Sequence, residues 1–205
     1  LKLNIVCMLI SFAYSQHVIS MDYFPVIPGI CPRSPIIGEL DIKRFFSGRW
    51  YVQKSMGQYL FQAAGTCATT VANVTEDGTG IKLLHYQYDP LLKTYVKVWG
   101  TAQTKFTKYM GLCTPVVYDL FGAGNPKFEV PFAILGTDYD NWAIIYMCIQ
   151  YPTGYKSELG WMMSRKRDDR SNIKTMESVQ KLLDNDRFID EINTDCDPKK
   201  TLKMI

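Results

Sequence analysis

Between Trp50 and about Lys166 the chain alternates short apolar-rich runs with turn signals: "EDGTG", "YDPLLK", "GAGNPK", "GTDYDN" and "YPTGY". Gly, Asn, Asp and Pro at these points favour chain reversal, each for its own backbone reason. Short strand-like runs at such regular spacing predict an antiparallel all-β sandwich or barrel.

The full chain has 205 residues, enough for one well-buried domain with tails. Its net charge is +3 with both signs mixed along the chain, which argues against a nucleic-acid footprint. The basic run "SRKRDDR" is broken by two aspartates and reads as a solvated turn. No run of 18 apolar residues is present, so a transmembrane helix is not expected.

"LKLNIVCMLISFAYS" places one lysine before an apolar stretch, with Ala13 and Ser15 at cleavage-site spacing. Residues 1–15 are therefore expected to be a signal peptide, and the protein to be secreted. Residues 16–44 are expected to form a Pro-rich extended arm, 45–196 a barrel with its helix, and 197–205 a tail.

Six cysteines are present, and Cys7 would leave with the signal, so the mature chain would hold five. Secretion makes disulfides the default for four of them. Neither Cys-x-x-Cys nor Cys-x-x-His spacing occurs, so no metal site is expected. "NVT" at Asn73 is a glycosylation sequon, and a glycosylated and an unmodified Asn73 both remain open.

One late stretch, "SNIKTMESVQKLLDND", has apolar residues at helical spacing and predicts a helix from about Asn172 to Asp184. Ser171 is expected to cap it. Its apolar stripe, including Ile173, Met176, Val179, Leu182 and Leu183, must pack on the outside of the sheet.

Side-chain alternation can be read wherever a charged residue marks the wet side of a strand. Lys82 outward puts Ile81, Leu83, His85 and Gln87 inward; Lys93 and Lys97 outward put Val96, Val98 and Gly100 inward. Asp119 outward puts Val116, Tyr118 and Leu120 inward, and an outward Asn73 puts Ala68, Thr70, Ala72 and Val74 inward. An unpaired polar group in a solid core costs about 1–3 kcal/mol. The polar groups on these inward faces favour a hollow barrel over a filled one, with both readings open.

Three motifs carry a family resemblance: "SGRW" at the start of the first strand, "TDYDNWAIIYMC" at a late turn, and "WMMSRK" on the last strand. In that order they resemble the lipocalins, most nearly the group of apolipoprotein D, the insecticyanins and the bilin-binding proteins. The resemblance covers about residues 31–196. It implies an eight-stranded antiparallel up-and-down barrel with a C-terminal helix packed outside. Gly48 would then turn the chain into the first strand. Trp50 would plug the closed end, with Arg165 over its face. Thr137, Asp138 and Tyr139 would form the second motif. Family pattern also implies disulfides Cys31–Cys148 and Cys67–Cys196, which leaves Cys113 as an expected free thiol.

Function divides three ways. The resemblance and the polar-dotted interior imply a secreted carrier of a small hydrophobic molecule, with a bilin first and a lipid, sterol, fatty acid or carotenoid next. No cofactor is required. The alternative is an interaction protein with a filled barrel. A lipocalin-type enzyme is disfavoured: the two histidines are His17 and His85, no nucleophile motif accompanies them, and Cys113 is remote from the first strands. The expected cavity liners are His85, Gln87, Val96, Val98, Tyr118 and Trp161. His85 also matches an inward polar position on the third strand of apolipoprotein D-like barrels. Trp161 shares the Arg165 side of its strand.

Overall fold

The computed structural model describes residues 26–57, 65–119 and 127–196. The expected signal peptide, the tail and Leu120 lie outside the described residues. The arm enters through β1 (Ile27–Pro28), followed by β2 (Gly38–Glu39) and one helical turn, α1 (Ile42–Phe45). Asp41 caps that turn by accepting the amide of Arg44 at 3.0 Å, so the arm is not extended up to residue 44.

Eight strands then make the wall: β3 (Gly48–Met56), β4 (Thr66–Val74), β5 (Gly80–Asp89), β6 (Thr94–Gln103), β8 (Thr114–Asp119), β9 (Lys127–Thr137), β10 (Trp142–Gln150) and β11 (Tyr155–Ser164). A short β7 (Tyr109–Met110) pairs with β2 beside it. Each wall strand is antiparallel to the next, and β11 pairs back onto β3, so the sheet closes as an up-and-down barrel. Closure removes the free edges that an open sheet of this size would expose.

Alternation sorts the wall residues into two apolar cores. Inward-facing Trp50, Val52, Ala68, Ala72, Leu83, Val116, Trp161 and Met163 belong to the interior cluster. Outward-facing Met56, Ile144, Tyr146 and Met162 form a second cluster with Met176, Leu183 and Phe188 from the C-terminal segment. Full burial of each large apolar side chain is worth about 1.5–3 kcal/mol, so the outer cluster is a substantial part of the fold. Gly160 permits this close cover, since a Cβ there would meet Phe188 at 3.0 Å and Leu183 at 3.1 Å.

The covering helix, α2 (Ile173–Val179), is shorter than the sequence pattern suggests, and its first cap position is Asn172 without a side-chain bond. Ser171 instead bonds Asp169. The helix stops because the Gln180 side chain accepts the amides of Leu182 and Leu183 at 3.1 and 2.8 Å. That local turn aims Leu183 at the barrel. Lys54 on β3 anchors the helix through a 3.0 Å ion pair with Glu177.

After α2 the chain returns as a strap that passes through β12 (Ile189–Asp190) and runs on to Cys196. Strands β3 and β4 pair from Gly48 to Tyr51. Farther along β3, β12 takes the place beside Lys54 and Ser55. The strap also accepts the Cys67 amide on Ile192 and donates the Glu191 amide to Gln53. It is thus wedged between two wall strands. Burial pushes the Glu191 carboxyl up to about 7, against one stabilising bond from the Ala68 amide.

Disulfide Cys31–Cys148 ties the arm to β10, and Cys67–Cys196 ties β4 to the strap. Loops this long make each cross-link worth about 2–5 kcal/mol. Cys113, expected as a free thiol, is disulfide-bonded, and no described cysteine is free. The expectation rested on the family pattern, in which Cys113 has no counterpart, and on the odd count left when Cys7 is removed with the signal peptide.

Candidate functional site: a partly polar cavity above a sealed end

The barrel is sealed where β3 begins. Gly48 has φ +71°, a backbone state that favours glycine and turns the chain into the strand. Trp50 is 2% exposed and donates its indole N–H to the Phe45 carbonyl at 3.1 Å. The Arg165 guanidinium stands 3.6 Å from the Trp50 ring centroid. It donates to five carbonyls, those of Arg44, Phe45, Ser47, Arg49 and Tyr139, at 2.5–3.1 Å. Burial pushes its pKa down to about 10, so it stays charged at neutral pH.

The Thr137–Asp138–Tyr139 turn supplies one of those carbonyls. Asp138 accepts the amides of Asn141 and Trp142 at 2.8 and 2.9 Å. Burial opposes its charge, yet these donors hold its carboxyl below the usual range. Thr137 Oγ1 accepts the Tyr139 amide at 2.8 Å and donates to the Trp142 carbonyl at 2.7 Å. The site at this end is architectural: every polar group named here is committed to backbone.

Above the seal lies a cavity of about 70 Å³. Phe45, Phe46 and Trp50 form its floor and Leu83, Val98, Phe132, Ile145 and Met147 much of its wall. Its polar groups are Thr70, His85, Tyr118 and Trp161. Thr70 Oγ1 and His85 Nδ1 are 3.0 Å apart. His85 Nε2 and Trp161 Nε1 are buried and find no hydrogen-bond partner among the described residues. Burial pushes the His85 pKa down to about 4, so the imidazole is neutral at pH 7. Burial also raises the Tyr118 phenol, which stays protonated. None of the described lining residues is Asp, Glu, Lys or Arg.

Of the six liners expected from the sequence, the structure brings together His85, Val98, Tyr118 and Trp161. Gln87 and Val96 are not among the lining residues. They pair with each other one inward step beyond the His85–Val98 pair, towards the β5–β6 turn. There the Gln87 amide packs against Gly65, where a Cβ would come within 2.3 Å. Sequence reasoning missed the floor, because Phe45 and Phe46 precede the first wall strand. It also missed Ile145, Met147 and Leu159. Their signal was present: Cys148 and Glu158 mark the outer sides of β10 and β11, so the alternate residues face in.

Asn73, the sequon residue, is exposed on the outer face of β4. Among the described residues no group of three or more His, Cys, Asp or Glu is placed to hold a metal ion.

Comparison with known proteins gives the family. The model of the nitrophorin family matches residues 36–203. Dimiconin of Triatoma dimidiata is 26% identical over 157 residues, which is 77% of this chain and 72% of that protein. Insecticyanin from the tobacco hornworm Manduca sexta superposes with a TM-score of 0.67 at 21% identity, over 84% of this chain and 90% of its own. The tryptamine complex of the amine-binding protein of Rhodnius prolixus superposes at 0.61 with 19% identity, over 78% and 85% of the two chains. With a sealed eight-stranded barrel, an outer helix and a family match along most of its length, the chain belongs to the nitrophorin family of lipocalins.

Proposed function

We propose that this lipocalin is a secreted carrier that holds a small, largely apolar molecule in the barrel cavity. The observation that carries the reading is the pair of buried, unpartnered nitrogens, His85 Nε2 and Trp161 Nε1, in an otherwise apolar space. A filled core would leave each such group at a cost of about 1–3 kcal/mol. A ligand that completes their hydrogen bonds recovers it. The disulfides suit an oxidising, extracellular setting.

Catalysis is the weaker reading. The Thr70 hydroxyl meets His85, but no carboxylate among the described lining residues orients the imidazole. With its pKa pushed down to about 4, the imidazole is a poor general base near neutral pH.

Among ligands, the family resemblance and the chain's 13 Tyr, 10 Phe and 4 Trp speak for a bilin, and the tryptamine complex of the Rhodnius protein speaks for an amine. A single ordered water needs roughly 10–15 Å³, so the 70 Å³ cavity holds about five waters, and an organic ligand must widen it by moving lining side chains. A four-ring bilin would have to displace more of the lining than a one-ring molecule would. Exposed Asn73 would carry a glycan on the secreted chain.

The test is solvent extraction and mass spectrometry of the full chain secreted from eukaryotic cells, with its absorption spectrum. A stoichiometric small molecule is expected, and His85→Leu should lower its retention while leaving the folded spectrum intact. Protein that carries nothing and binds nothing added would leave the filled-barrel reading standing instead.

A further inference from the structure

The carrier reading leaves open which chemistry the cavity selects, and the two unpartnered nitrogens address that. Trp161 Nε1 is a donor with no acceptor capacity, and Trp161 is 7% exposed. It therefore calls for an acceptor on whatever fills the space. His85 contributes a second polar atom whose sense depends on the Thr70 contact. If the Thr70 hydroxyl donates to Nδ1, Nε2 carries the proton and is a second donor. If Nδ1 donates, Nε2 accepts. Under either arrangement the acceptor demanded by Trp161 is unchanged.

Charge narrows the class further. An ammonium in this space would meet no carboxylate among the described lining residues, and a carboxylate would meet no Lys or Arg. Arg165, which stands over the Trp50 ring and does not line the cavity, is committed to five carbonyls. A neutral imidazole balances neither sign. An ion transferred here would lose its hydration without a paired partner, which strongly disfavours it.

We infer that the cavity selects an uncharged molecule, an apolar body carrying a hydrogen-bond acceptor that engages the Trp161 N–H, with His85 as the second polar contact. The inference rests on the carrier reading and sharpens it. Trp161 and His85 project from β11 and β5, which β3 and β4 separate in the barrel, so they address the ligand from different parts of the wall. Phe45, Phe46 and Phe132 offer aromatic contact to its body.

Four probes with equal numbers of non-hydrogen atoms separate the possibilities: acetophenone, cumene, 1-phenylethylammonium and benzoate. Binding is measured by calorimetry and by tryptophan fluorescence on the delipidated full chain at pH 7. Acetophenone should bind at least about tenfold more tightly than cumene, because it satisfies a donor that cumene leaves bare. Both ions should bind at least about a hundredfold more weakly than acetophenone. Trp161→Phe should shrink the acetophenone–cumene gap to about threefold or less.

Equal binding of cumene and acetophenone would overturn the inference while leaving a carrier of apolar molecules in place. So would an ion that binds as tightly as acetophenone, or an acetophenone preference that Trp161→Phe leaves intact. If none of the four binds and the natively secreted protein yields a larger extracted ligand, the inference is wrong and the carrier reading survives. If none binds and nothing is extracted, both fall.

Discussion

Arg165→Ala offers the sharpest test of how the closed end is held. The guanidinium contributes a cation–π contact of about 1–2 kcal/mol, given its 3.6 Å approach to buried Trp50. It also serves five carbonyls. Those of Phe45, Arg49 and Tyr139 sit in part-buried bonds, and each bond is worth about 1 kcal/mol net. Those of Arg44 and Ser47 are in exposed bonds and can take water instead. The expected loss is then about 4–5 kcal/mol, a large part of a typical domain's stability of about 5–15 kcal/mol. Arg165→Lys keeps the charge but cannot reach five carbonyls, and should lose about half as much. Urea unfolding followed by fluorescence reads the effect. With a slope of about 2 kcal/mol/M, Arg165→Ala should move the midpoint by about 2 M at unchanged slope. Arg44→Ala is the control, since its ion pair with Asp140 is exposed and screened by solvent. If Arg165→Ala costs less than about 1 kcal/mol, or no more than Arg44→Ala, the seal is not what the geometry implies.

Gly160→Ala should cost about 1–3 kcal/mol by pushing Phe188 and Leu183 off the outer wall, read as a lowered melting midpoint with the cavity probes still bound. Two buried groups should shape the pH profile in opposite senses. His85, depressed from 6.5 to about 4, contributes stability above pH 6.5 that is lost as pH falls towards 4. Glu191, raised from 4.5 to about 7, contributes stability below pH 4.5 that is lost as pH rises towards 7. Each is worth roughly 3 kcal/mol, so they largely cancel in the native protein. Urea midpoints between pH 4 and 7.5 should therefore slope downward with pH in His85→Leu and upward in Glu191→Gln. Parallel profiles in both variants would refute the assignment.

The wall was legible in the sequence because lysines and an aspartate mark its wet side. Lys82 and Asp119 were enough to orient β5 and β8, and through them His85 and Tyr118. The same rule fails where the outside is also dry. Leu84 and Tyr86 face outward yet are 3% and 1% exposed, because Val71 and Tyr95 cover them. Helix length was misread because Gln180 competes for backbone amides through its side chain, which an apolar stripe cannot reveal. The floor of the cavity comes from α1, a single turn too short to show periodicity. The strap had no local signal at all, since its place between β3 and β4 is set by contacts more than a hundred residues apart in sequence.

That strap has a temporal consequence. The wall strand made first, β3, finds β4 at once, but its other partners, β11 and β12, are made only after all the remaining wall strands. At synthesis rates of about 5–20 residues per second, the early strands wait several seconds with open edges before either partner exists. Contacts so distant in sequence also make for slow folding. The Cys67–Cys196 bond, spanning 129 residues, can form natively only once the whole wall and the strap are out. Nascent chains of this protein therefore spend their most aggregation-prone interval with Cys67 reduced and one seam of the wall unfilled, and a chain cut short before Cys196 would never leave that state.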